Sequence, residues 1–260
     1  MPRPAMRPAD VVGVFIAGTD TGVGKTRVAV ALLQALERRG IAALGMKPVA
    51  TGLDASGDHE DVARLRAASR ASGERLSGGA RPGPDGAAEV DPADVSPYRF
   101  APPVSPHLAA RWAGTAIEPA RIVAAYGRLA RRCEALIVEG TGGWLAPIAD
   151  TLTMADVARA LALPVVLVVG LRLGCLNHAL LTARAVRADG LQLAGWIGSV
   201  LEPRMPGLDE NVATLEQRLP APRLGLLVHA ADRDGDAAQL APAAAALAAA
   251  RSAAWPQPDR

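Results

Sequence analysis

Val11-Val12-Gly13-Val14-Phe15-Ile16-Ala17, followed without a break by Gly18-Thr19-Asp20-Thr21-Gly22-Val23-Gly24-Lys25-Thr26, joins a continuous apolar run to a glycine-rich loop ending in Lys-Thr. The run reads as a buried strand, and the chain from Arg27 to Arg39 continues as an amphipathic helix. A glycine-rich turn between strand and helix offers an anion unpaired backbone N–H groups and the positive end of the helix dipole. In such a loop Thr21, Gly22, Val23 and Gly24 cradle phosphate, Lys25 reaches the β- and γ-phosphates, and the Thr26 hydroxyl ligates Mg²⁺. The strict spacing G-x-x-x-x-G-K-[ST] is not met, because five residues separate Gly18 from Gly24 and Thr19 stands at the expected first glycine. The alternative is a glycine-rich turn with a solvated lysine. The strand before and the helix after favour a nucleotide phosphate site.

The same alternation runs through the chain. Strand-like runs at Val11–Ala17, Ala42–Pro48, Ala135–Glu139, Val165–Gly170, Ala194–Val200 and Leu224–Val228 are short, apolar and bounded by Gly or Pro. Helical patterns lie at Lys25–Arg39, Pro106–Ala113, Pro119–Arg132, Met154–Leu161, Leu176–Ala188, Leu208–Arg218 and Pro242–Arg251. Near-continuous apolar strands separated by helices predict an α/β fold: a single doubly wound, mostly parallel sheet flanked by helices, P-loop NTPase-like. One domain is expected over 10–252, with disordered tails at 1–9 and 253–260 and a mobile insertion at 71–92, where Gly, Ala, Pro and Ser show no periodicity.

Composition narrows the function. Half of the 260 residues are hydrophobic and 3% aromatic, so a large core of Ala, Val and Leu is expected. A net charge of +2 without a basic stripe predicts no nucleic-acid partner. The apolar run after the basic, proline-rich start is too short for a signal or a membrane span, which predicts a cytoplasmic protein with no membrane partner. Cys133 and Cys175 have no metal or redox spacing, and the four histidines have no ligand spacing. Among 28 basic residues only Lys25 and Lys47 are lysines. An arginine-rich codon bias explains the excess, and the two survivors mark places that need a compact ammonium rather than a planar fork. They lie in consecutive strand-to-helix turns. Glu139 closes an apolar run beside glycines, where a carboxylate is costly to bury unless it meets a cation. Asp61, in Asp58-His59-Glu60-Asp61, is either a second acid for that cation or a helix cap.

Beyond the phosphate loop, Lys47-Pro48-Val49 with Thr51-Gly52, Ser96-Pro97-Tyr98-Arg99-Phe100, Pro103-Val104-Ser105-Pro106-His107 and Val138-Glu139-Gly140-Thr141-Gly142-Gly143-Trp144 follow in order. Val168-Val169-Gly170-Leu171-Arg172-Leu173-Gly174-Cys175-Leu176-Asn177-His178 completes the set. Together they resemble the dethiobiotin synthase family over about residues 11 to 230, and the shifted first glycine is usual there. The resemblance implies an ATP-dependent ligase of biotin biosynthesis that takes 7,8-diaminopelargonate, CO₂ and ATP. Its substrate site would lie at a homodimer interface. By the resemblance Lys25 and Lys47 are catalytic, Lys25 on the ATP phosphates and Lys47 on the carbamate and the transferring phosphoryl group. Thr26, Asp61 and Glu139 would hold Mg²⁺. Gly140, Thr141, Gly142, Gly143 and Ser199 would border the nucleotide. Thr51 would bind the diamine substrate, and the turn Gly174, Cys175, Leu176 and Asn177, contributed in the family by the second subunit of the dimer, would hold its carboxylate tail on backbone N–H groups.

The chain departs from the family at four points. Gly22 stands where some members carry an acid, and Arg172 replaces a lysine. Ser199-Val200 replaces an Asn-Asp that reads adenine, and Leu226-Leu227-Val228-His229 lacks a Pro-Trp placed over the base. Looser nucleotide preference is expected. Two other readings are a cobyrinate amide synthase-like ligase, which needs a glutaminase cysteine not evident here, and a partitioning-type ATPase switch. Such switches carry a second lysine ahead of Lys25, and this chain has none.

Overall fold

The structure, a computed structural model, describes residues 11–55, 57–76, 90–229 and 233–250. The tails expected at 1–9 and 253–260 lie outside those residues. The chain opens with β1 (Val12–Gly18), α1 (Lys25–Arg38), β2 (Ala43–Met46), β3 (Val49–Thr51) and α2 (Glu60–Leu76). It continues with α3 (Pro92–Val95), β4 (Tyr98–Phe100), α4 (Pro106–Trp112), α5 (Pro119–Ala130), β5 (Ala135–Glu139) and α6 (Met154–Leu161). The second half holds β6 (Val165–Leu171), α7 (Cys175–Ala188), β7 (Leu193–Val200), α8 (Leu208–Arg218), β8 (Arg223–Leu227), α9 (Arg233–Gln239) and α10 (Ala241–Ala250).

Six strands form one sheet in the order β2-β5-β1-β6-β7-β8, every neighbour parallel. Its strands are apolar on both faces because both faces are covered. Val14 and Ile16 of β1, Ala135 and Ile137 of β5, and Val166 and Val168 of β6 join the core beneath α1 and α10. The alternate residues Phe15, Ala17, Leu136, Val138, Leu167 and Val169 join the opposite core with α5, α6 and α7. The doubly wound, parallel architecture expected from the sequence is therefore the one observed.

Two features of the sheet position the site. First, β1 and β2 follow one another in sequence but do not touch; β5 lies between them. Glu139, at the end of β5, is thereby set between the turns that carry Lys25 and Lys47. Second, the chain moves from β1 to β2 on one side and from β6 to β8 on the other. The reversal opens a crevice at the carboxyl ends of the strands, the usual ligand position in open α/β sheets.

Sequence reasoning missed α9, which packs against α1 and β8, and a group of elements around β2. Helix α2 spans 17 residues, yet Val62 and Leu65 are its only large apolar side chains in the core among the described residues. Its run of Ala, Arg and Ser carries no apolar stripe. Residues 71–76, expected inside the insertion, are its last turns. Residues 77–89 lie outside the described set, and Pro92 opens α3, with Asp91 Oδ1 accepting from the Ala93 amide at 2.8 Å. Strands β3 and β4 form a separate parallel pair of three residues each, below the length at which alternation can be read.

Strand β2 is an edge, and its outer amides need partners. The Gly45 amide donates to Ser69 Oγ on α2 at 3.0 Å, and the Lys47 amide donates to the Val95 carbonyl on α3 at 2.8 Å. Ser69 is buried and its hydroxyl donates in turn to the Leu65 carbonyl at 2.8 Å. Replacing Ser69 with Ala strands the Gly45 amide in a dry interior. Urea titration of Ser69→Ala should therefore show a loss of about 1–3 kcal/mol, the cost of an unpaired buried donor. A midpoint equal to that of the parent would show that this bond does not hold α2 on the sheet edge.

Candidate active site

Gly18 ends β1, and a Cβ built there would sit 2.8 Å from Lys25 Cδ and 3.0 Å from its Nζ. The lysine stem crosses the glycine backbone. This is the physical use of the first glycine at its shifted position. Gly24 adopts φ +91°, and a Cβ on it would meet Ser199 Oγ at 2.7 Å. Ser199 is buried at the end of β7, so it supports the loop from the side where the nucleotide base is expected. Lys25 Nζ donates to the Asp20 carbonyl at 2.8 Å, folded back onto its own loop. Burial, then the nearby Lys47 charge, pushes its pKa down to about 8.

Lys47 follows the last residue of β2 and is 4% exposed. Its Nζ donates to Glu139 Oε1 at 2.5 Å and to Asp61 Oδ2 at 2.8 Å. The Thr26 hydroxyl donates to the same Glu139 Oε1 at 2.7 Å. Burial opposes the charge on Lys47, but Glu139 and Asp61 outweigh it and hold the ammonium above its ordinary pKa. Burial likewise opposes the charge on Asp61, and Lys47 and Thr26 hold its carboxyl below the usual carboxylate range. Lys25, Thr26, Lys47, Asp61 and Glu139, which span more than a hundred residues of sequence, converge on one centre.

The donor set fits a hard divalent cation. Glu139 is fully buried and its Oε2 has no hydrogen-bond partner among the described residues. A carboxylate oxygen left bare in a dry site is costly unless a cation meets it. Two carboxylates and a hydroxyl beside a phosphate loop suit Mg²⁺, which takes few protein carboxylates and completes its shell with phosphate oxygens and water.

Neighbouring segments hold this centre in shape. Asp61 lies in the first turn of α2, and its amide donates to His59 Nδ1 at 3.1 Å. Nε2 of that ring is 3.0 Å from the Thr51 carbonyl, so the proton sits on Nε2 and the ring joins Thr51 to Asp61. Sequence reasoning gave His59 no role, since its signal was only a position just ahead of an acidic helix start. The Thr141 hydroxyl donates to the Val49 carbonyl at 2.5 Å, binding the Gly140–Gly143 segment to β3. Trp144, next along, stacks edge-on against Phe15 and donates to Asp189 Oδ2 at 2.7 Å.

The turn from Gly170 to Asn177 lies across the crevice. Gly174 adopts φ +95° and α7 begins at Cys175. The Cys175 amide is engaged by the Arg172 carbonyl at 3.0 Å, which removes it from the expected set of free donors. The Leu176 and Asn177 amides have no acceptor of this kind among the described residues. The Cys175 side chain is buried in the core. Towards the base side, Arg27 makes contacts the sequence did not suggest. Its Nε donates to Asp236 Oδ2 at 2.7 Å and its Nη2 to the Val228 carbonyl at 2.7 Å, tying α9 and the end of β8 to α1.

Known proteins resemble this chain in sequence and in fold. A family model described as an AAA domain matches residues 12–234. The ATP-dependent dethiobiotin synthetase BioD of Aromatoleum aromaticum is 48% identical over 223 residues, covering 85% of this chain and 92% of that protein. The chain belongs to the dethiobiotin synthetase family. Family members carrying the same name from Ralstonia nicotianae and Nitrosospira multiformis are 46% and 45% identical, covering 82% and 88% of this chain and 87% and 92% of their own length. Among solved structures, the MinC:MinD cell division complex of Aquifex aeolicus matches with a TM-score of 0.53 at 12% identity, covering 92% of this chain and 96% of that one. That likeness concerns the fold alone.

The depressed Lys25 pKa makes nucleotide binding proton-linked. Near pH 9 the free ammonium is largely deprotonated. Bound phosphate favours the charged form, so the complex takes up a proton. At about pH 6.5 Lys25 is already charged and no uptake follows. Calorimetry of MgADP binding in two buffers of different ionisation enthalpy should show net proton uptake at the higher pH only. Equal proton uptake at both pH values would remove Lys25 as its source.

Proposed function

We propose that the chain closes the ureido ring of dethiobiotin from 7,8-diaminopelargonate, CO₂ and ATP, releasing ADP and phosphate. Family membership makes it an ATP-dependent ligase. The observation that carries the finer reading is the buried ammonium of Lys47, held between Glu139 and Asp61 beside the phosphate loop.

One amine of the diamine takes up CO₂ and loses a proton, giving a carbamate. A carbamate oxygen attacks the γ-phosphorus and the bond to the β-phosphate oxygen breaks, leaving ADP and a carbamic–phosphoric anhydride. The second amine then attacks the carbamate carbon and expels phosphate, closing the ring. Each step before closure crowds anionic oxygens, so cations must be in place beforehand. Lys47 is suited to this because its neighbours keep it charged in a dry site. Lys25, poised on a single loop carbonyl, can exchange that acceptor for phosphate oxygens. Thr21, Gly22, Val23 and Gly24 offer loop backbone to the phosphates. Thr26, Asp61 and Glu139 would hold Mg²⁺, which when bound draws the phosphate oxygens together and neutralises their charge. Thr51 and the free amides of Leu176 and Asn177 suit the diamine and its carboxylate.

A homodimer with the substrate at its interface is part of this reading. Leu173, in the turn ahead of α7, is 98% exposed, and Leu181 on α7 is 56% exposed. A monomer rarely leaves such side chains to water beside its active site. No helix among the described residues is long and apolar enough to cross a membrane.

Incubating the protein with diaminopelargonate, bicarbonate, Mg²⁺ and ATP should yield dethiobiotin by mass detection. ADP release without the diamine and without dethiobiotin would defeat the synthase reading. Lys47→Arg should lower turnover by roughly a hundredfold while nucleotide affinity stays within about threefold, since a planar fork cannot replace a point charge wedged between two carboxylates. Near-normal turnover would take Lys47 out of the mechanism. With Ser199 in place of a base-reading amide, CTP and GTP should support activity within about a hundredfold of ATP. A steeper preference would mean that other groups read the base.

A further inference from the structure

Asp20 joins the phosphate loop to a second segment, because its carboxylate bonds the loop backbone with one oxygen and Arg172 with the other. Its carbonyl accepts from Lys25 Nζ at 2.8 Å and its Oδ1 from the Thr21 amide at 2.7 Å. Its Oδ2 accepts from Arg172 Nη2 at 2.8 Å. Arg172 stands two residues before Gly174, in the turn whose Leu176 and Asn177 amides remain free. Two further bonds join the same segments: the Thr19 amide donates to the Val168 carbonyl at 3.0 Å, and the Gly170 amide to Thr19 Oγ1 at 3.4 Å. The phosphate loop and the tail-binding turn are thus sewn together, with the Asp20–Arg172 ion pair as the outermost stitch. Both partners are about half exposed, at 49% and 41%.

We infer that Arg172, through Asp20, is a positioning residue that couples nucleotide binding to binding of the substrate's carboxylate tail. The inference rests on the reading of the Gly174–Asn177 turn as the tail site. Lys25 holds the Asp20 carbonyl. The Asp20 carboxylate is held separately, by Arg172 from the β6–α7 turn and by the Thr21 amide from the phosphate loop. The ion pair is the link by which an ordered phosphate loop orders the turn, and the turn, once loaded with a carboxylate, orders the loop. Such coupling is reciprocal: whatever factor the diamine adds to nucleotide affinity, the nucleotide adds to diamine affinity. An arginine gives longer reach than a lysine at this position, and its guanidinium keeps further N–H donors for the turn.

The test is the ratio of dissociation constants for a non-hydrolysable ATP analogue with Mg²⁺, measured by calorimetry without and with saturating diaminopelargonate. The parent protein should bind the analogue more tightly with the diamine present, by about threefold or more, the scale of a half-exposed ion pair. Arg172→Ala and Asp20→Asn should each bring the ratio close to one, and the double variant should go no further. Arg172→Lys, which keeps the charge, should restore part of it. Melting temperatures within a degree or so of the parent's separate this effect from a general loss of structure. A ratio unchanged in Arg172→Ala overturns the coupling while leaving the substrate reading intact. A parent protein that binds the nucleotide but not the diamine overturns the substrate reading itself and the coupling with it.

Discussion

Lys47, Glu139 and Asp61 form a charged triad in a site from which most water is excluded, and much of the surrounding structure answers its demands. A lone ammonium at that depth would be deprotonated, and a lone carboxylate would be neutralised. Lys47 and Asp61 are each kept charged by their partners, and the Thr26 hydroxyl donates a further hydrogen bond to Glu139. The arrangement is unfinished, since Glu139 Oε2 has no partner among the described residues. Buried ion pairs often add little net stability against well-packed apolar alternatives. A site that holds two carboxylates and two ammoniums together is better understood as preorganised for an anionic reaction than as a contribution to folding.

Holding the triad requires strand order more than any local feature. Because β5 pairs with β2 on one side and β1 on the other, Glu139 emerges between the two lysine-bearing turns. Because β2 is an edge, Lys47 would lean towards solvent unless something covered it. Helix α2 does so, delivers Asp61 from its first turn, and satisfies the edge through Ser69. His59 fixes the entry to that helix against Thr51. Two helices and a two-stranded ribbon thus convert an exposed strand end into a closed site.

The phosphate loop shows the same economy of parts. Gly18 makes room for the stem of Lys25, and Gly24 makes room for Ser199 while turning the chain into α1. Bonded to itself through Asp20, the loop is also braced on its flanks. Ser199 supports it from β7, Arg172 holds Asp20 from the β6–α7 turn, and Arg27 ties α1 to the end of β8. The phosphate loop is therefore embedded in contacts that also reach the β6–α7 turn and the end of β8.

The sequence by itself determined the alternation of strands and helices, the phosphate loop, the parallel doubly wound class and the family. Those features are written in local periodicity, in glycine placement and in ordered short motifs, all of which survive without knowledge of distant contacts. Glu139 was legible too, as an acid at the end of an apolar strand. Helix α2 was not, because its burial rests on two side chains and a hydrogen-bonded serine rather than on a stripe. The three-residue strands β3 and β4 were too short to show alternation. Nor could the sequence show that His59 bridges Thr51 to Asp61, that Asp20 meets Arg172 across 152 positions, or that the Cys175 amide is already engaged. Only the tertiary structure decided these. They depend on which strand lies beside which, and strand order is set by the packing of whole helices on the sheet, which no local stretch of chain records.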